Sequence, residues 1–197
     1  MTTDLAALVG SRICHDLISP IGAIGNGVEL IALTGRDMGD EMALISESVE
    51  NANARIRYFR MAFGNAAPDQ SVSEAEIRSI LKDISRGGRT RFDWRALGDQ
   101  PRLDVRAIFL AIQCMETAMP LGGDIIIDRV GPTWTLTGLS DRLTLNSELW
   151  AGIEDGRGTS LRPAASEVQF ALLPPALSDA RRHLKAEFGT DRIVLKL

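Results

Sequence analysis

A chain of 197 residues, 45% hydrophobic and 24% charged, has ordinary globular composition and the length of one large domain or two small ones. Its net charge of −4 argues against a nucleic-acid binder, which is normally basic. Its two cysteines, Cys14 and Cys114, carry no ligand spacing, so neither a disulfide framework nor a zinc site is expected; apolar runs are short and no signal peptide is visible, so the default is a cytoplasmic protein with no membrane span.

Residues 3 to about 33 read as one helix. Asp4 supplies negative charge at its N-terminus. Gly22, Gly25 and Gly27 each weaken it by about 1 kcal/mol against Ala. Pro20, having no N–H, is expected to kink it. Such a helix needs packing partners. At about 100° per residue, Ile13, Leu17, Pro20 and Ile24 form one apolar stripe, and His15 lies roughly 140–200° from it. That phase argues against a buried histidine. Ser11, Ser19 and Gly22 share the His15 face, and their small size leaves an imidazole open to close approach by another protein.

Thr34-Gly35-Arg36-Asp37 reads as a turn. A second helix follows from about Asp40 to Phe63. Its apolar positions Met42, Ile45, Val49, Ala52, Ile56, Phe59 and Phe63 keep an unbroken alternation of three and four, the pattern of a bundle seam. Two helices cannot bury two such stripes alone. A homodimer closing a four-helix bundle satisfies them; packing on the rest of the same chain is the alternative. Arg55, Arg57 and Arg60 read as a solvated helix face. Gly64–Asp69 is a linker by composition, which divides the chain into 1–66 and 70–197.

The second part is mixed. Ser73-Glu74-Ala75-Glu76 is a capping box opening a helix to about Arg86, ended by Gly87-Gly88. Arg89–Leu97 reads as a strand. Pro101 precedes a long apolar helix, about Leu103–Met119. Leu121-Gly122-Gly123 then turns the chain into a hairpin of Asp124–Val130 and Trp134–Leu139. A short helix at Ser147–Ile153 precedes the loop Glu154–Ser160. Pro163 is placed for the first turn of a helix reaching Asp179, which Pro174-Pro175 must bend or break. A second hairpin ends the chain, with Leu184, Ala186 and Phe188 on one strand and Ile193, Leu195 and Leu197 on the other. The fold class is therefore α+β: a helical hairpin, then an α/β sandwich with helices on one face of a largely antiparallel sheet.

The run Ser11-Arg12-Ile13-Cys14-His15-Asp16-Leu17-Ile18-Ser19-Pro20 resembles the H-box of two-component histidine kinases and phosphotransferases. His15, Asp16, Leu17, Ser19 and Pro20 match, and Ile18 stands where sensor kinases usually carry Arg. Continued through Ile21-Gly22-Ala23-Ile24, the run is similar to ChpT-type histidine phosphotransferases of alphaproteobacterial phosphorelays. The resemblance implies a Bergerat-type ATPase fold, as in histidine kinases and Hsp90, for 70–197. Its nucleotide site would be degenerate. The Mg²⁺-binding Asn should fall near Cys114, among Leu110, Gln113 and Glu116, and no Asn occurs in 101–145. Asp141-Arg142-Leu143-Thr144-Leu145 stands in place of Asp-x-Gly-x-Gly. Gly156-Arg157-Gly158-Thr159-Ser160 alone looks like a phosphate loop, or else is a flexible loop.

The implied function is a phosphorelay carrier. A neutral imidazole is a nucleophile near pH 7, so His15 would take a phosphoryl group from a receiver-domain aspartate of a hybrid kinase and pass it to response-regulator receivers. Asp16 would accept a hydrogen bond from the ring and favour one tautomer, or else is a plain surface acid. Ser11, Arg12, Ser19 and Gly22 would meet the receiver. No cofactor is expected on this chain, and Mg²⁺ would belong to the receiver. His183, among charged residues of the final hairpin, reads as bland. Two other readings stay open: an ATP-dependent histidine kinase core lacking a sensor, and a non-catalytic receiver-binding module.

Overall fold

The structure, a computed structural model, describes residues 4–34, 39–156 and 162–197. The turn expected at 34–37 and the glycine loop at 156–160 fall largely on residues outside these. Helix α1 (Leu5–Thr34) and helix α2 (Gly39–Phe63) pair as a hairpin. Gly27 is the close-approach point: a Cβ there would lie 2.6 Å from Ile45 Cγ1, so only glycine lets the two backbones come together at that level. Helix α1 continues through Pro20.

Beyond the hairpin come β1 (Ser71–Val72), α3 (Glu74–Arg86), β2 (Thr90–Trp94), β3 (Gln100–Pro101) and α4 (Arg102–Ala118). Then follow β4 (Gly123–Val130), β5 (Thr133–Leu139), α5 (Ser147–Glu154), α6 (Val168–Asp179), β6 (Lys185–Phe188) and β7 (Arg192–Lys196). The main sheet has the order β2-β4-β5-β7-β6, with β2 parallel to β4 and the other neighbours antiparallel. Both hairpins read from the sequence are present. The first is entered through Gly122 and Gly123, at φ 81° and 144°, conformations that L side chains rarely adopt. A Cβ on Gly122 would also sit 2.1 Å from the Arg89 carbonyl oxygen.

Three expectations need correction, and one strand pairing was not foreseen. The strand at 89–97 is only Thr90–Trp94, because Arg95 onward leaves the ladder after its N–H bonds the Ile127 carbonyl at 2.8 Å. The short β1–β3 pairing had no sequence signal, each strand being two residues long. Pro163 lies ahead of α6, separated from it by a 3₁₀ turn at Ala165–Glu167. Pro174 and Pro175 lie inside α6, which continues to Asp179; burial of Val168, Phe170, Leu173 and Leu177 against the core outweighs the lost N–H donors.

Helix α4 is the centre of the core. Val105, Ile108, Phe109, Leu110, Ile112 and Met115 are all fully buried. Ile125, Ile127, Trp134, Leu136, Ile193 and Leu195 supply the buried side of the sheet. The end of α2 joins from above, with Tyr58 and Phe109 ring centroids 5.4 Å apart. The heptad-like seam of α2 is therefore divided. Phe59 is buried in the chain's own core and Phe63 packs against it, Ile45 seats on Gly27, while Met42, Val49 and Ile56 stay exposed. Of the three arginines read as a solvated face, Arg60 is exposed and lies 3.5 Å from Glu76 of α3, whereas Arg57 pairs with Asp83 of α3 at 2.9 Å.

One buried ionic contact ties α4 to the far end of the sheet. Asp104 accepts from Arg182 Nε at 3.0 Å, Arg182 Nη2 at 2.9 Å and Trp134 Nε1 at 3.2 Å. Arg182→Ala would leave that carboxylate buried with one neutral donor. We expect a loss of about 3 kcal/mol in urea unfolding, the scale of breaking one side of a buried pair. A loss below about 1 kcal/mol would mean that the pair behaves as a surface contact.

Candidate functional site

The site is built on the first half of α1. Ile13 packs against the core, and the opposite face presents His15 with Ser11, Ser19 and Gly22, all exposed. The His15 side chain is 86% exposed, as its helical phase predicted. A Cβ added at Gly22 would meet no atom within 4 Å, so the space beside His15 is open.

His15 is not left loose. Its Nδ1 lies 3.1 Å from Asp16 Oδ1. An ionised carboxylate only accepts hydrogen bonds, so a neutral ring bonded to it carries its proton on Nδ1 and keeps the Nε2 lone pair free. Asp16 is 14% exposed and is itself held. Arg12 Nε donates to Asp16 Oδ2 at 2.9 Å, and Arg55 Nη1 of α2 lies 3.9 Å from the same oxygen. Arg12 does not join the exposed face with His15. Its Nη1 donates to the Ser166 carbonyl at 2.6 Å, across the junction with the C-terminal part.

Behind this network lies a cavity of about 440 Å³ bordered by Arg12, Asp16, Arg55, Tyr58, Gln113 and Glu116. The Tyr58 hydroxyl donates to Glu116 Oε2 at 2.9 Å. Burial raises the Glu116 carboxyl above the usual range, against the lowering effect of Tyr58, Arg12 and Arg55. Burial, and then Glu116, raise the Tyr58 hydroxyl well above its ordinary value. The sequence reading missed Arg55, Tyr58, Glu116 and Ser166 as members of this neighbourhood. Arg55 belonged to a run of three α2 arginines with nothing to single it out, and Ser166 contributes only a backbone oxygen, which leaves no trace in a sequence.

The stretches compared with nucleotide-binding boxes have other contacts. Cys114 is buried inside α4 with its thiol pushed up by desolvation. Gln113 is buried, and Thr117 accepts a 2.8 Å hydrogen bond from Gln169 Nε2 of α6. Thr144, in the segment after β5, donates its N–H to the Ala118 carbonyl at the end of α4. Gly158 of the phosphate-loop candidate lies outside the described residues. His183 is exposed, in the connection before β6. Among the described residues, no three His, Cys, Asp or Glu side chains form a metal-sized group, and no helix is long and apolar enough to cross a membrane.

Residues 74–192 match the family model described as histidine phosphotransferase C-terminal domain. A curated relative, the protein phosphotransferase ChpT of Brucella abortus (strain 2308), is 37% identical over 126 residues, 63% of this chain. The match spans 60% of that relative's length. A solved structure of a bacterial phosphotransferase aligns with 98% of this chain and 95% of its own, at 29% identity and a TM-score of 0.79. That alignment takes in the helical hairpin, which lies ahead of the family-model match.

The raised Glu116 carboxyl has a consequence for stability. An unfolded glutamate ionises near its ordinary value, about 4.3, while the folded carboxyl holds its proton to higher pH. The folded state then binds more protons, so stability falls as pH rises through this window. Glu116→Gln keeps an acceptor for Tyr58 and does not titrate. We expect its melting temperature to match wild type at pH 4 and to exceed it increasingly above that. Parallel melting curves from pH 4 to 8 would contradict this cause.

Proposed function

Since the chain belongs to the histidine phosphotransferase family, we propose that it carries phosphoryl groups on His15 between receiver-domain aspartates of a phosphorelay. The observation that carries this reading is an imidazole 86% exposed whose Nδ1 is engaged by Asp16. In the forward step, the Nε2 lone pair attacks the phosphorus of a receiver's aspartyl phosphate. The bond from phosphorus to the aspartyl oxygen breaks, its electron pair leaves on the receiver carboxylate, and an N–P bond forms. The ring keeps its Nδ1 proton, and Asp16 faces the positive charge that develops on it. The loose transition state asks for position and electrostatics rather than further covalent chemistry. The return step, to a response-regulator receiver, is the same path reversed. A divalent cation would be held by the receiver's own carboxylates. The donor would be the receiver of a hybrid kinase. The two unpaired cysteines suit the reducing cytoplasm.

We also infer a homodimer. On α1, Cys14, Ile18, Ile21, Gly25 and Val28 alternate four and three residues apart along one exposed edge. On α2, Met42, Val49 and Ile56 repeat every seven. Ile18 is 72% and Ile56 50% exposed within one chain. Both rows have coiled-coil spacing, and a second hairpin would cover them as a four-helix bundle.

His15→Ala is expected to abolish acceptance of label from a phosphorylated receiver. Gly22→Leu should keep the fold, since the position is open, yet slow transfer by obstructing the receiver. Label retained at another residue in His15→Ala would overturn the reading. Label from ATP with no receiver present would favour the kinase alternative, and receiver binding without any transfer would favour the binding module.

Sedimentation tests the assembly. Wild type should be dimeric at micromolar concentration, and Ile56→Glu monomeric with an unchanged helical spectrum. A wild-type monomer would rule the bundle out.

A further inference from the structure

We propose that Arg12 is a positioning residue for His15, through which the C-terminal part of the chain sets the tautomer and orientation of the imidazole. This rests on the phosphoacceptor reading of His15. The guanidinium is shared: Nη1 donates to the Ser166 carbonyl at 2.6 Å and Nε to Asp16 Oδ2 at 2.9 Å. Asp16 presents its other oxygen to His15 Nδ1 at 3.1 Å. The Ser166 carbonyl is anchored in turn. It also accepts from Gln169 Nε2 at 3.1 Å, and that same amide donates to Thr117 Oγ1 of α4 at 2.8 Å. A continuous series of hydrogen bonds thus runs from the central core helix to the exposed imidazole.

The chemistry requires such a series. A neutral histidine on an open helix face rotates freely and exchanges its proton between two nitrogens. With the proton on Nε2 that nitrogen has no lone pair to attack with. Holding the ring by Nδ1 raises the reactive fraction and fixes the approach angle before a receiver arrives. Asp16 alone sits on an adjacent helical position and needs its own anchor. Arginine suits that task because its planar fork donates in two fixed directions at once. Arg12 and Asp16 side chains are 22% and 14% exposed, so solvent screens their contact only in part. Arg12 would then act behind the exposed face rather than as a receiver contact.

The test uses the full chain, ¹⁵N-labelled at histidine, with exposed His183 as the internal reference. At a pH where the ring is neutral, wild-type His15 should give the signature of protonated Nδ1 and bare Nε2. Arg12→Ala and Arg12→Lys should shift it toward the other tautomer, because an ammonium cannot donate along both directions of the fork. Lysine keeps the charge at the junction, which preserves the readout if the alanine variant unfolds. In transfer from a phosphorylated receiver, the maximal rate should fall about tenfold, the scale of removing a group that orients a functional histidine. The half-saturating receiver concentration should stay within about twofold, since no receiver contact is removed. Combined with Asp16→Asn, Arg12→Ala should add little, because both act through one series. An unchanged tautomer, a raised half-saturation at full maximal rate, or additive losses would each overturn the proposal. If His15→Ala still accepted phosphoryl groups, the phosphoacceptor reading would fall, while the nitrogen spectrum would still decide whether Arg12 holds the ring.

Discussion

The structure depends on covering α4. A helix whose interior stretch is apolar on every side has to be enclosed, and each large apolar side chain buried contributes about 1.5–3 kcal/mol. The sheet encloses one side through Ile125, Ile127, Leu136, Ile193 and Leu195. Helix α6 and the end of α2 enclose the other, with Tyr58, Phe59, Met61 and Ala62 of α2 buried in the same cluster. That demand brings the hairpin down onto the C-terminal part. Once the end of α2 is fixed, α1 follows through its own pairing with α2, and the level of His15 relative to α6 is set.

The same docking divides the hairpin by function. Near the core, α2 spends its apolar residues within the chain. Farther out, Met42, Val49 and Ile56 continue the repeat on open surface, next to the exposed edge of α1. One uninterrupted spacing in the sequence therefore runs from the chain's own core out onto open surface. Periodicity reports only that a side chain wants cover, so it could not separate cover by the same chain from cover by a second copy.

The legible parts were those governed by local chemistry. Ser73 caps α3 by accepting from the Glu76 N–H at 3.2 Å. Gly122-Gly123 turns into β4, and in the last hairpin Ala186 pairs with Leu195 and Phe188 with Ile193, the faces that the alternation assigned. The exposure of His15 followed from phase alone. The parts that failed were governed by tertiary burial or by backbone atoms. Pro174 and Pro175, expected to bend or break α6, do not end it, because the helix is buried on the core. Arg57 of α2 found Asp83 of α3, 26 residues on, which no spacing rule connects to it. The bond from Arg12 to Ser166 left no sequence signal, because the acceptor lies 154 residues away and offers only a carbonyl.

Helix α1 explains why positioning has to come from outside it. Three glycines, at 22, 25 and 27, each cost about 1 kcal/mol of helix stability against Ala. Pro20 removes one more N–H and leaves the Asp16 carbonyl without its intrahelical donor. A helix so weakened in its second half cannot by itself hold a side chain in its first half to the tolerance that transfer demands. The contact from the C-terminal part falls on the stronger side of Pro20, at Arg12, and Arg55 of α2 adds another at Asp16. Glu116 and Thr117, adjacent on α4, reach the hairpin by separate routes, through Tyr58 and through Gln169 with Ser166. Rigid elements orient a reactive group better than loops do. The α/β part therefore acts as the frame for the imidazole. The glycine-rich half of α1 takes its position from α2, where Gly27 seats against Ile45.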